Sequence, residues 1–191
     1  MKKFIMALLV CTAISATAMA ADYVGVDYSS KQRSGVAEQH DVFGVTYGKT
    51  LGSQLYTEAR MEDEIVHDPS KHEGLVQGKL GLNLGSYYKV TPYVAGAVGY
   101  KSKATSNFSY YVVEGGVKYP LLPILDVNAA VRLRTPFSEG ALGGADEYRT
   151  VEESVGAKLK LGSHNAVTAK YAYEHGDRVY HTWGVGFVHS F

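Results

Sequence analysis

Polar and apolar residues alternate along most of this chain, one position at a time. In residues 54–62, QLYTEARME, Leu55, Thr57, Ala59 and Met61 share one parity, and Tyr56, Glu58, Arg60 and Glu62 share the other. In residues 75–85, Val76, Leu80, Leu82 and Leu84 oppose Gln77, Lys79 and Asn83. Residues 110–119 set Tyr111, Val113, Val117 and Tyr119 against Glu114 and Lys118. Residues 125–135 set Leu125, Val127, Val131 and Leu133 against Asp126, Asn128, Arg132 and Arg134. The same rule holds for Val151, Val155, Leu159 and Leu161 against Glu152, Lys158 and Lys160, and for Val167, Ala169, Tyr171 and Tyr173 against Thr168, Lys170 and Glu174. A period of two is the signature of a β-strand with two unlike faces. No stretch shows helical periodicity.

The pattern predicts ten strands, over residues 22–29, 40–49, 53–65, 74–86, 91–101, 108–119, 124–135, 148–161, 166–175 and 179–191. Connections after even strands are short and carry turn residues such as Gly52, Pro120 and Asn165. Connections after odd strands are mostly longer and polar, as in residues 29–39, 66–73, 102–107 and 136–147. An up-and-down meander follows, with both ends of the chain on the short-turn side. Reading the first two strands as one loop-rich edge would give eight; ten is preferred because YVGVDY and VFGVTY both read as strands ending on tyrosine.

Alternation alone fits either a soluble barrel with its apolar face inside or a membrane barrel with that face outside. Strand length separates the two. Segments of ten to fourteen residues exceed the usual five or six of soluble domains, and a tilted strand needs about nine to eleven to cross hydrocarbon. Aromatics gather at strand ends: Tyr23, Tyr47, Tyr87, Tyr88, Tyr93, Tyr119 and Phe191 near the short turns, and Tyr28, Phe43, Tyr100, Tyr110, Phe137, Tyr148, Tyr173 and Tyr180 near the long loops. Two aromatic belts around an aliphatic band predict two membrane–water interfaces. Closure then requires the first strand to pair with the tenth, because lipid offers no partner to an open edge.

Residues 1–20 read as a cleaved secretory signal, with Lys2 and Lys3, a short apolar run and small residues at Ala18 and Ala20, leaving residues 21–191 as one barrel domain. Cys11, the single cysteine, lies in that leader after the large Val10, a poor setting for acylation. Without Lys2 and Lys3, 17 basic residues face 19 acidic ones, which argues against nucleic acid as a partner. No later run of apolar residues is long enough for a membrane-spanning helix.

The last ten residues, TWGVGFVHSF, place Trp183, Val185 and Phe187 in one alternating row that ends on Phe191. This row resembles the C-terminal assembly signal of bacterial outer-membrane β-barrels, although His189 stands where that pattern has an apolar residue. The whole of 21–191 resembles the small outer-membrane barrels that include the OmpA-like and OmpX-like proteins. The resemblance implies an all-β, closed, antiparallel barrel in the Gram-negative cell envelope, with both termini periplasmic. It also implies outer-membrane lipids and lipopolysaccharide as surroundings, and barrel-assembly machinery and periplasmic chaperones as partners during biogenesis. It implies no cofactor and names no extracellular partner.

The expected lumen carries Asp27, Glu58, Glu62, Glu114, Asp126, Glu152 and Glu174 against Arg60, Lys79, Lys118, Arg132, Arg134, Lys158, Lys160 and Lys170. A small barrel's interior is just wide enough for side chains to fill, and an unpaired buried charge costs several kcal/mol, so these groups are expected to pair into a plug. The alternative is a narrow porin-like channel, with Arg132, Arg134, Lys158 and Lys160 as an anion-attracting wall. A structural or surface-interaction role through the outer loops is the reading preferred, without enzyme activity. His189 and Ser190 alternate faces and cannot act together. His175, Asp177 and His181 lie near the outer rim without an activated nucleophile. His67, Asp68, His72 and Glu73 could hold a divalent cation, but without the fixed spacing of a metal motif.

Overall fold

The computed structural model describes residues 22–67, 70–103, 107–137, 149–176 and 178–191. The leader over 1–20, the boundary at Ala21, and Asp68, Tyr148 and Asp177 lie outside the described residues.

Ten strands form: β1 Asp22–Arg33, β2 Gln39–Leu51, β3 Leu55–His67, β4 Ser70–Asn83, β5 Thr91–Ser102, β6 Asn107–Leu122, β7 Leu125–Pro136, β8 Thr150–Lys160, β9 Asn165–His175 and β10 Tyr180–Ser190. Each pairs antiparallel with its sequence neighbours, and β1 pairs with β10, so the sheet closes into a barrel. The closing register runs from Tyr23 opposite Ser190 to Arg33 opposite Tyr180. The ten strands expected from the alternation are found, with three differences in reach. β1 runs on to Arg33, through residues expected in a loop. β3 and β4 continue to His67 and from Ser70, so the expected loop over 66–73 is the tip of a long hairpin. β6 continues to Leu122 through an irregularity between Pro120 and Leu122.

The turns at one end are tight for local reasons. Gly52 and Gly162 adopt φ of 73° and 107°, a region that costs residues with a Cβ. The β4–β5 turn instead places Tyr88 and Lys89 at positive φ, and a bridge between Tyr87 and Val90 holds it.

The aliphatic rows point outward. Val26, Val45, Leu80, Val98, Val113, Val131, Val155, Val167 and Val185 all stand exposed on the outer wall, from β1 round to β10, with Leu80 at 53% and Val98 at 58%. Soluble monomers rarely show continuous apolar surface on this scale; the wall is built to meet hydrocarbon. At its long-loop edge stand the paired rings of Tyr28 and Phe43 (centroids 5.2 Å apart), Tyr111 and Phe137 (5.5 Å) and Tyr171 and Trp183 (4.3 Å). Tyr47, Tyr119 and Phe191 lie on the outward parity towards the other edge, and the exposed Tyr87–Tyr88 pair occupies the β4–β5 turn there.

Four tyrosines expected in the belts face inward instead. Tyr23, Tyr93, Tyr110 and Tyr180 share the parity of the lumen charges, and Tyr110 is fully buried. Three of them, together with Tyr56, lie over a glycine directly opposite on the next strand: Tyr23 over Gly48, Tyr56 over Gly81, Tyr93 over Gly116 and Tyr110 over Gly99. Any Cβ on these glycines would strike the ring. A buried apolar cluster of Leu75, Ala97, Phe108, Tyr110 and Val112 fills the interior between β4 and β6.

Candidate functional site: the lumen

Inward-facing charges assemble into three tiers. In the middle tier, Arg60 on β3 grips Asp27 on β1 through both terminal nitrogens, at 2.8 and 2.7 Å, and its Nε donates to Glu62 at 2.5 Å. Such a two-pronged pair fixes direction as well as charge. It passes over Gly44, where a Cβ would strike both Arg60 and Asp27. Arg132 on β7 donates to the Gln77 side chain on β4, three strands away, and Tyr110 donates to the same oxygen at 3.3 Å. Arg132 sits opposite Glu114 on one side and Glu152 on the other, and Lys170 donates to Glu152 at 2.5 Å.

The tier near the long loops is built around Glu64. It accepts from Lys101 at 2.6 Å and meets His40 Nδ1 at 2.5 Å, and Lys101 also reaches Glu73 at 3.0 Å. His40 Nε2 lies 3.1 Å from Glu38, which Arg33 holds from the other side at 2.9 Å. Partial burial pushes the Glu38 carboxyl up, but Arg33 and His40 outweigh it and hold the group below the usual carboxylate range. Glu174 accepts from Lys31 at 3.1 Å and from Arg134 at 3.0 Å, tying β9 to β1 and β7.

The tier near the short turns pairs Glu58 with Lys79 and with the Tyr23 hydroxyl. Lys79 lies 3.8 Å from Glu114, which accepts from Tyr93 at 3.0 Å. Lys118 donates to Asn83 at 3.2 Å, its ammonium 4.8 Å from the rings of both Tyr56 and Tyr93. Lys160 donates to Asp126 at 2.9 Å. Lys158 points into the same space.

The interior is filled unevenly. β3 to β7 contribute tyrosines and long charged chains, whereas on β8 to β10 and β1 the charged chains alternate with the small Ser154, Gly156, Thr168, Gly184, Gly186 and Gly25. Asn128 and Lys170, inward-facing, stay exposed beside that wall.

Several charged groups on the strands of this network were not singled out by the alternation, among them Lys31, Arg33, His40, Glu64, Glu73 and Lys101. All lie towards the long-loop ends, where both faces of β3 and β4 are polar: Asp63, His67 and His72 point outward beside Glu64 and Glu73 pointing inward. The usable signal was parity, since each continues the inward row of its own strand.

The other candidate groups do not converge. His67 meets Asp41 at 2.7 Å and His72 meets Asp63 at 3.4 Å, both outside the wall, while Glu73 turns inward to Lys101; among the described residues no cluster could hold a metal ion. His175 stacks on Tyr173, and His181 meets the Tyr171 hydroxyl at 2.8 Å. His189 meets Asn165 at 2.8 Å and packs edge-on against Phe191, with Ser190 on the opposite parity. Trp183, Val185, Phe187 and Phe191 share the outer face, and the Phe191 amide donates to the Asp22 carbonyl at 2.9 Å.

No protein-family model and no curated protein matches this chain. Solved structures do. The translocator domain of the autotransporter NalP from Neisseria meningitidis is similar at a TM-score of 0.54 and 11% identity, over 98% of this chain and 94% of that one. The COG4313 outer membrane channel from Pseudomonas putida F1 is similar at 0.57 and 10% identity, over 92% and 97%. The NanC porin is similar at 0.51 and 10% identity, over 86% and 98%. At these identities the likeness is one of fold: the chain has the fold of the outer-membrane β-barrels.

Proposed function

We propose that this protein is an integral barrel of a bacterial outer membrane, with the termini periplasmic, whose lumen is held shut by paired charges. Its role is structural, or is played at the cell surface by the loops between odd and even strands. The reading implies surrounding lipid and lipopolysaccharide, and assembly machinery that engages the Trp183, Val185, Phe187 and Phe191 row.

The observation that carries the closed lumen is the Arg132–Gln77 contact, which joins β7 to β4 across the interior at mid-height. The Arg60–Asp27 and Glu174–Lys31 pairs, which join β3 to β1 and β9 to β1, support the same reading. Opening such a network would strand buried charges, at several kcal/mol each. The test is single-channel recording after insertion into a planar bilayer. A closed barrel gives no steady conductance; a persistent open level in the nanosiemens range overturns the reading.

A narrow porin-like channel is the second reading. It is favoured by the small-residue wall of β8 to β10 and by the exposed Asn128 and Lys170 beside it. The NanC porin and the COG4313 channel share the fold. Under this reading current flows without any mutation and is carried mainly by anions.

A further inference from the structure

Among the described residues, two ammonium groups in the short-turn half of the lumen, those of Lys118 and Lys158, form no ion pair with a carboxylate. Four carboxylates stand in or beside this tier, and the three nearest are already engaged: Glu58 by Lys79 and Tyr23, Glu114 by Tyr93 and Lys79, and Asp126 by Lys160 at 2.9 Å. The fourth, Glu152, lies higher and is taken by Lys170. Lys118 has an amide oxygen and two ring faces as its contacts, and Glu58 and Glu114 only within electrostatic reach. Lys158 lies opposite Asp126 on β7 and Thr168 on β9, makes no hydrogen bond or ion pair among the described residues, and stands near enough to Lys118 to repel it.

The register gathers these groups into one patch. Lys118 on β6 is opposite Asn128 on β7, and Asn128 is opposite Gly156 on β8, two residues from Lys158 and hence on the same face. Asn128 leans over Gly156, its Oδ1 within 2.6 Å of where a Cβ would stand. Gly186 beyond Thr168 also adds no side chain, and the Thr168 hydroxyl leans over it, so the floor beneath these polar groups is low. Two ammonium groups, an amide and a hydroxyl offer six or more donors and a surplus of positive charge. Water can solvate them, but a small oxyanion would also remove the mutual repulsion of the two lysines.

We propose that Lys118, Lys158, Asn128 and Thr168 form a binding site for a small oxyanion, a phosphate or carboxylate group, in the short-turn half of the lumen. The site lies below the Arg132–Gln77 contact and is open to its own end of the barrel, so it stands whether or not the lumen conducts.

Isothermal titration of the full barrel in detergent micelles tests it, with inorganic phosphate in one arm and succinate in another, at constant ionic strength in chloride. Saturable binding is expected in at least one arm, and the tighter arm names the class. Lys158→Gln and Lys118→Gln should each weaken it at least about tenfold, the size of one charge-assisted hydrogen bond. Lys71→Gln, at the opposite end, should leave it unchanged. Heat-dependent gel migration of each variant establishes that the barrel is closed before titration. Absence of saturable binding in both arms overturns the site, as does equal binding by closed Lys158→Gln and wild-type barrels. Insolubility without detergent is read separately and bears on the membrane location alone.

Discussion

Lys79 and Leu80 are consecutive and point in opposite directions, so exchanging them tests the facing of the whole wall without changing composition. Leu80 is 53% exposed outside, paired with Thr57 and Gly96, midway between Val76, which pairs with the belt residue Tyr100, and Leu84 at the short turn. A lysine there lies far from the outward carboxylate of the adjacent strands, Asp63, which pairs with Gly74 near the other end of β4, and costs about 2–4 kcal/mol at mid-membrane depth. Inside, a leucine at 79 leaves Glu58 and Glu114 without their shared cation. Breaking a buried pair costs about 3–5 kcal/mol, and the lower end applies because solvent still reaches Lys79 and Glu58 at 17% and 20%. The two faces share no partner, so the costs add to about 5–7 kcal/mol. That is the size of a typical domain's entire stability. The double variant Lys79→Leu/Leu80→Lys should therefore fail to fold into lipid vesicles. Urea unfolding followed by the fluorescence of the single tryptophan, Trp183, measures the two single variants. An exchanged barrel within about 1 kcal/mol of wild type would refute the facing assignment. Loss in Lys79→Leu alone would keep the paired lumen but remove hydrocarbon as the outer solvent.

Gly99→Leu should destabilise by about 1–3 kcal/mol or more, because the new side chain must displace the fully buried Tyr110 ring; urea unfolding reads the loss, and an unchanged midpoint would show that the ring does not lie there. Trp183, outward and 66% exposed in the isolated barrel, should be quenched by lipids brominated on their acyl chains and shielded from aqueous iodide; the reverse order would place it in water.

The alternation carried the architecture because lipid-spanning strands must keep one side chain in two apolar. It located all ten strands, since the segments from Tyr56 to Glu62 or from Leu125 to Thr135 leave no other period available. It lost accuracy where that constraint ends. The β3–β4 hairpin continues beyond the apolar band, and there Asp63 and Glu64 are adjacent, polar and on opposite faces, so polarity no longer distinguishes inside from outside. Tyrosine fails for a different reason. Its ring satisfies an interface belt and a barrel interior equally well, and Tyr23 and Tyr93 lie at the expected height but on the wrong side. The glycine facing each one was the readable clue, but it requires the register, which a single sequence does not give. Pairing within the lumen is likewise a property of register: Arg132 meets Gln77 only because the chain returns across the interior 55 positions later.

The seam between β1 and β10 has a consequence for how the molecule comes into being. Tyr23 and Ser190 are partners, so no ring exists until the last strand has been delivered. Up to that moment the chain is at best a curled ribbon with two raw margins, each offering its row of amides and carbonyls to any passing strand. The partners across this seam stand far apart in sequence, and contacts across such a span are the slowest kind to form. The strand order itself thus leaves the unfinished ribbon open to wrong pairings for as long as β10 is undocked.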